Sequence, residues 1–177
     1  MKKIFFLKTA DHSTSEQALK KILSREFKLQ NPSIERNENG KPYLQNGKEL
    51  NLHFSVSHTN GLTFFAFSDK NIGVDAENLS RKVNYAPIAK KFPESEQMEI
   101  RSTCDFLRHW TAKESAVKWL GGSLNKDLAN LQFIDGQIHY KRVPLPICVC
   151  FLEQDGYLVC VCGENDFSNV TIEPFNL

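Results

Sequence analysis

Ile72-Gly73-Val74-Asp75-Ala76-Glu77 decides the fold, because it alternates as a β-strand does. Ile72, Val74 and Ala76 fall on one face, and Gly73, Asp75 and Glu77 on the other. Before this strand, His53-Phe54-Ser55-Val56-Ser57 and Leu62 to Phe67 flank Thr59-Asn60-Gly61, an Asn-Gly hairpin signal. Further toward the N-terminus, Ser13-Thr14-Ser15-Glu16-Gln17 offers a capping box, Ser13 with Glu16 or Thr14 with Gln17. Ala18, Leu19, Ile22, Leu23 and Phe27 follow at helical spacing, which predicts a helix over 15–27.

After the strand the same order returns. Pro93 with Glu94 and Glu96 opens a short helix. Phe106, Trp110, Val117 and Leu120 predict a helix over 105–120, stopped by Gly121-Gly122. Ile147 to Leu152 and Tyr157 to Cys162 flank Gln154-Asp155-Gly156, a second hairpin. Each side also places a Gly-bearing short strand ahead of its hairpin, Asn39 to Tyr43 and Asp135 to Tyr140. The pattern predicts an α+β fold of two similar halves, roughly 1–78 and 79–177, with a cleft between them. No Pro/Gly/Ser-rich linker divides the chain, so 1–177 reads as one compact unit.

Composition narrows the function. With 41% hydrophobic and 24% charged residues the chain is an ordinary globular protein. A net charge of +1 supplies no global field toward nucleic acid or an anionic membrane, so an anionic ligand must be held by a local cluster. The opening Met1-Lys2-Lys3-Ile4-Phe5-Phe6-Leu7-Lys8 has too short an apolar run for a signal peptide and reads as a strand. No apolar run approaches the ~20 residues of a spanning helix. Five cysteines, an odd number, point to free thiols in a reducing cytoplasm.

Asp75 and Glu77, on one strand face and ~7 Å apart along the backbone, repel each other, and a hard cation between them relieves this. The plain alternative is a solvated strand end. In Trp110-Thr111-Ala112-Lys113-Glu114-Ser115-Ala116-Val117-Lys118, Glu114 and Lys118 are i, i+4 neighbours with Lys113 beside them. The alternatives there are a surface ion pair or a capping box from Thr111. Gly40-Lys41-Pro42 sets a lysine in a turn, and Ser55-Val56-Ser57-His58 sets a serine and a histidine at a hairpin end. Both suit a phosphate, and both also occur as ordinary turns. Cys148-x-Cys150 and Cys160-x-Cys162 lack the C-x2-C spacing of common zinc sites and read as buried thiols. Phe64, Phe65 and Phe67 read as core, since no basic groove accompanies them.

Taken in order, Gly40-Lys41-Pro42, Ser55-Val56-Ser57-His58, Gly73-Val74-Asp75-Ala76-Glu77 and Trp110 to Lys118 resemble the signature segments of surfactin-type 4′-phosphopantetheinyl transferases. The resemblance runs from about Ser13 to the C-terminal hairpin. It implies a pseudo-twofold pair of halves with coenzyme A and Mg2+ between them. It also implies transfer of 4′-phosphopantetheine to a serine of an apo acyl, peptidyl or polyketide carrier protein, with release of 3′,5′-ADP. By that resemblance Asp75, Glu77 and Glu114 hold the metal, and Lys118 assists at the pyrophosphate. Lys41, Ser57 and His58 grip the 3′-phosphate end, Lys113 is a further cofactor-binding lysine, and Glu114 takes the serine proton, directly or through a metal-bound water. A cytoplasmic monomer without nucleic-acid or membrane partners is the matching expectation. Two rivals stand beside it, a metal-dependent nucleotide pyrophosphate hydrolase and a non-catalytic coenzyme A- or carrier-binding subunit. The chain departs from the family at Asp11-His12, where an arginine usually meets the 3′-phosphate, so Lys8 or His12 is expected to substitute. Ala76 replaces a larger aliphatic, which bears on packing.

Overall fold

The computed structural model describes residues 1–8 and 12–177, His12 and Ser13 by backbone alone. Strand β1 (Lys2–Lys8) leads to helix α1 (His12–Phe27), the short strands β2 (Ile34–Arg36) and β3 (Pro42–Leu44), and the hairpin β4 (His53–Thr59) and β5 (Leu62–Ser68). Then follow β6 (Ile72–Asn78), the one-turn helices α2 (Ala86–Ala89) and α3 (Glu94–Gln97), the long α4 (Thr103–Leu120) and the short α5 (Leu124–Asp127). The chain closes with β7 (Leu131–Ile134), β8 (Gln137–Tyr140), β9 (Val143–Pro144), β10 (Cys148–Gln154), β11 (Tyr157–Gly163) and β12 (Ile172–Pro174).

Two sheets carry the fold, in the orders β12-β1-β5-β4 and β10-β11-β6. Their facing sides share one apolar layer. Ile4, Leu62, Phe64 and Ala66 of the first meet Ile72, Val74, Ala76, Val159 and Val161 of the second. Helix α1 covers the outer side of the first sheet, where Ala18, Leu19, Ile22 and Leu23 pack on Phe5, Phe54, Phe65 and Phe67. Helix α4 covers the second, with Ala112, Ala116 and Val117 against Cys160 and Cys162. Phe64, Phe65 and Phe67 are fully buried core residues, and all five cysteines are free thiols.

One element order and pairing occurs twice along the chain. A strand, a helix, a short-strand pair and a hairpin give β1-β5-β4 once and β6-β11-β10 again, antiparallel at every step. Strand β6 lies in the second sheet with β11, although the sequence grouped it with the residues before it. Strand β12 returns from the far end of the chain to pair parallel with β1.

Local chemistry explains the element ends. The first helix begins at His12, so Thr14 sits inside its first turn, and the Ser13 capping box lies outside the described side chains. Helix α4 starts two residues before the periodicity indicates, because the Ser102 hydroxyl accepts from the Asp105 amide at 3.1 Å. It ends at Gly121, left-handed at φ 67°. Gly73 has a different purpose. A Cβ there would run into the carbonyl oxygen of Ser115 and lie 2.6 Å from the Trp119 amide, so glycine lets α4 rest directly on β6. Among the described residues no helix is long and apolar enough to cross a membrane.

Candidate active site

Asp75 sits where the two sheets join. Strand β4 at the edge of one sheet runs beside β6 at the edge of the other, and serines link them. The Ser55 hydroxyl accepts from the Val74 amide at 3.0 Å, and the Ser57 hydroxyl from the Ala76 amide at 3.1 Å. These contacts satisfy edge amides that a ladder would otherwise pair. Ser57 then donates to Asp75 Oδ1 at 2.8 Å. Lys118 Nζ reaches the same oxygen at 2.8 Å and the Val74 carbonyl at 2.9 Å. The second oxygen, Oδ2, is buried and has no hydrogen-bond partner among the described residues. A buried carboxylate oxygen left unsatisfied costs on the order of 1–3 kcal/mol or more, and the neighbouring Glu114 carboxyl, which hydrogen-bonds Asp75 when protonated, is placed to relieve it.

Glu114 stands one turn before Lys118 on α4. Its carboxyl is pushed up to about 8, first by burial and then by the charge of Asp75; Lys118 opposes this and Glu77 adds to it. Glu77 itself is buried and accepts from Arg81 at 2.6 Å. Among the described residues no three carboxylates, histidines or cysteines converge as a ready metal cluster. The donor chemistry nonetheless suits a hard divalent cation. Three carboxylates supply only oxygen, one buried oxygen lacks a partner, and their mutual repulsion already holds Glu114 toward its neutral form.

Glu114 and Lys118 form one wall of a cavity of about 380 Å3. Ser15, Glu16 and Leu19 of α1, Arg36 of β2, the turn 39–42, and Ser55, Val56 and His58 of β4 also line it. The cavity therefore lies between the two helix-and-sheet layers. Asn37 and Asn39 tie its turn to the end of α4, both donating to the Gly121 carbonyl at 2.8 and 2.9 Å. Lys41 lines the cavity and donates to Asn71 Oδ1 and the Ile72 carbonyl, both at 3.1 Å. Burial lowers its ammonium to about 8. His58 Nε2 is 2.7 Å from the Ser15 hydroxyl.

The structure brings Asp75, Glu77 and Glu114 into one electrostatic group, and Glu114, Lys118, Lys41 and His58 around one cavity. Two residues lie elsewhere than the sequence suggested. Ser57 is buried at the sheet joint, its hydroxyl engaged by Asp75 and Ala76, because odd-numbered residues of β4 face β6 there. Lys113 is fully buried on another side of α4. Its ammonium bonds Glu96 at 2.8 Å and lies 3.8 Å over the Phe92 ring, because position 113 is turned about 100° from 114. Lys8, at the exposed end of β1, is not among the residues lining the cavity, and His12 lies outside the described side chains. Sequence reasoning missed Arg36, which lines the cavity and donates to the Gly40 carbonyl at 3.0 Å. The available signal was its place just before the Asn37 to Gly40 turn, with Gly40 at φ 84° folding the strand back.

A family profile described as the 4′-phosphopantetheinyl transferase superfamily matches residues 71–162, just over half of the chain. The chain is 28% identical over 114 residues to the 4′-phosphopantetheinyl transferase gsp of Aneurinibacillus migulanus, covering 60% of this chain and 46% of that protein. It is 31% identical over 122 residues to the L-aminoadipate-semialdehyde dehydrogenase-phosphopantetheinyl transferase of Xenopus laevis, covering 56% of this chain and 39% of that protein. The matched region thus spans less than half the length of these relatives.

Proposed function

Because the chain belongs to the 4′-phosphopantetheinyl transferase superfamily, we propose that it moves 4′-phosphopantetheine from coenzyme A to a carrier-protein serine. The observation that carries this reading is a cavity lined by Glu114, Lys118, Lys41, Arg36 and His58, with Asp75 buried behind it against Lys118 and Glu114. The cavity thus combines the carboxyl of Glu114 with the cations Lys118, Lys41 and Arg36, which suits an anionic ligand carrying more than one phosphate. The carrier is an apo acyl, peptidyl or polyketide carrier, and the protein works as a cytoplasmic monomer with both halves in one unit, divided before β6 rather than after residue 78 because β6 pairs with β11. The repeated order β1-β5-β4 and β6-β11-β10 supports a pseudo-twofold relation between the halves.

In this reading the serine oxygen attacks the phosphorus that bears the pantetheine arm, and the bond from that phosphorus to the leaving 3′,5′-ADP breaks. Glu114 accepts the serine proton in its ionised form, and burial and the charge of Asp75, which raise it to about 8, strengthen its hold on that proton. Lys118 faces the oxygens on which charge grows as ADP departs. Arg36, Lys41 and His58 hold the 3′-phosphate end, with Arg36 serving where Lys8 or His12 was expected. Ser57 acts on Asp75, orienting its carboxylate rather than touching coenzyme A. Asp75, Glu77 and Glu114 would hold Mg2+, which supplies charge neutralisation at the pyrophosphate.

The test is incubation with coenzyme A, Mg2+ and a panel of apo carrier proteins, read by intact mass. A carrier gaining the phosphopantetheine increment supports the proposal. Release of 3′,5′-ADP without a carrier indicates a hydrolase instead, and coenzyme A binding with neither product indicates a non-catalytic subunit.

A further inference from the structure

Between α2 and α4 the chain carries a group of buried charges that the proposed chemistry does not use. Glu96 and Lys113 are both fully buried and joined at 2.8 Å. The other oxygen of Glu96 meets His109 Nδ1 at 3.0 Å, and His109 Nε2 lies 3.4 Å from Glu99. The Phe92 ring, 3.8 Å below the Lys113 ammonium, closes the site from the side. One carboxylate from the short α3 therefore grips α4 at two positions one turn apart.

A grip of this kind is a poor device for stability alone. Burying two charges is expensive, and well-packed apolar side chains of similar volume are often as stable or more so. What the ion pair adds is geometry, since only one rotation and one axial setting of α4 place 109 and 113 on the same carboxylate. On the sheet side, the Ser115 hydroxyl donates to the Gly73 carbonyl at 2.9 Å and accepts from the Cys162 amide at 3.0 Å. Residues 113 and 115 point about 200° apart around the helix, so α4 is pinned from two sides. Glu114 lies between the two pins in sequence and emerges at the cavity wall.

We infer that Glu96 and Lys113 are positioning residues, whose buried ion pair fixes the rotation of α4 and thereby aims Glu114 at Asp75. The inference rests on the transferase reading for its kinetic consequence, while its geometric consequence stands apart from it. Replacing the pair together, Glu96→Gln with Lys113→Met, removes both charges, keeps a hydrogen-bonding side chain for His109 and fills the lysine's volume. Misplacement near 1 Å costs about 100-fold in rate, so kcat for transfer to an apo carrier should fall roughly 10–100-fold. KM for coenzyme A should stay within about twofold, because Lys41, Arg36 and His58 are untouched. A crystal structure of the same variant should show the Glu114 carboxylate displaced from Asp75. The single change Glu96→Asp, which retains the charge but shortens the grip, should lower kcat in the same way if the double variant does not fold.

A well-folded variant with Glu114 in its parental place and kcat unchanged overturns the inference and leaves the pair as scaffold. A parallel loss of thermal stability and of all kinetic constants does the same. If the parent protein itself transfers nothing to any carrier, the functional reading fails. The position of Glu114 in the variant crystal still decides this one.

Discussion

Glu114 gives the most direct physical test of the site, and it needs no substrate. Its carboxyl is raised from 4.5 to about 8 by burial and by the charge of Asp75. A carboxyl whose folded value lies above its unfolded value binds the extra proton in the folded state between those two limits. Stability therefore falls as pH rises through that window, from 4.5 to about 8. The slope for one proton is about 1.4 kcal/mol per pH unit. Integrated across the window it reaches on the order of 4–5 kcal/mol as an upper limit. Relaxation of Lys118 and solvent at the half-buried carboxyl bring the expected figure to about 1–3 kcal/mol.

Glu114→Gln keeps the neutral shape at every pH, so the variant should lose this slope. Urea unfolding of parent and variant from pH 4 to 9 would measure it as a difference curve, in which titrating groups remote from the site cancel and Asp75 and Glu77 contribute through their coupling to Glu114. The variant should gain relative to the parent as pH rises from 4.5, and the gain should level off above about 8. Adding Mg2+ at pH 8 should stabilise the parent more than the variant, since ligand binding to the folded state adds its own stability. Parallel stability curves, flat in their difference across the whole range, would refute the argument that Asp75 and Glu77 press on Glu114. The same substitution should abolish transfer to an apo carrier.

Other outcomes follow from single contacts. Gly73→Ala drives a methyl into the Ser115 carbonyl and should lower stability by about 1–3 kcal/mol, read as a fall in Tm. Ser57→Ala removes one donor to Asp75 and the acceptor for the Ala76 amide, so it should cost about 1–2 kcal/mol of stability and lower kcat with little change in KM for coenzyme A. His58→Ala should discriminate less between coenzyme A and 3′-dephospho-coenzyme A than the parent does, whereas Lys118→Ala should keep that preference at a reduced kcat; steady-state kinetics with both donors checks the pair.

The strand at 72–77 was legible because alternation is local. Ile72, Val74 and Ala76 do enter the sheet-to-sheet core, and Gly73, Asp75 and Glu77 do turn the other way. Alternation could not show that this second face is also buried, since the cover is α4, some 30 residues later in the chain. The same remoteness separated β6 from its expected neighbours. Its hydrogen-bonding partner, β11, begins at Tyr157, and its link to β4 runs through serine hydroxyls rather than a ladder. A two-residue hairpin such as Asp155-Gly156, both at positive φ, is by contrast written in adjacent residues and was found from them.

Ser57 and Lys113 show where motif reading ends. The family resemblance assigns both to coenzyme A, and serine beside histidine at a hairpin end also suits a phosphate by residue type. Along a strand the next residue faces the opposite side, and along a helix it is turned by about 100°. His58 and Glu114 line the cavity, whereas Ser57 and Lys113 are buried away from it, although Ser55 on the same strand face as Ser57 still reaches the cavity. What they face was decided by partners at a distance, Asp75 for one and Glu96 for the other. Glu96 carried no sign of this in the sequence, where Pro93-Glu94-Ser95-Glu96 reads as a helix start with acidic residues suited to its dipole. A carboxylate near a helix N-terminus needs no partner when exposed, but a fully buried one does. The burial of Glu96 is therefore the fact that separates a routine first turn from an ion pair holding α4 in place.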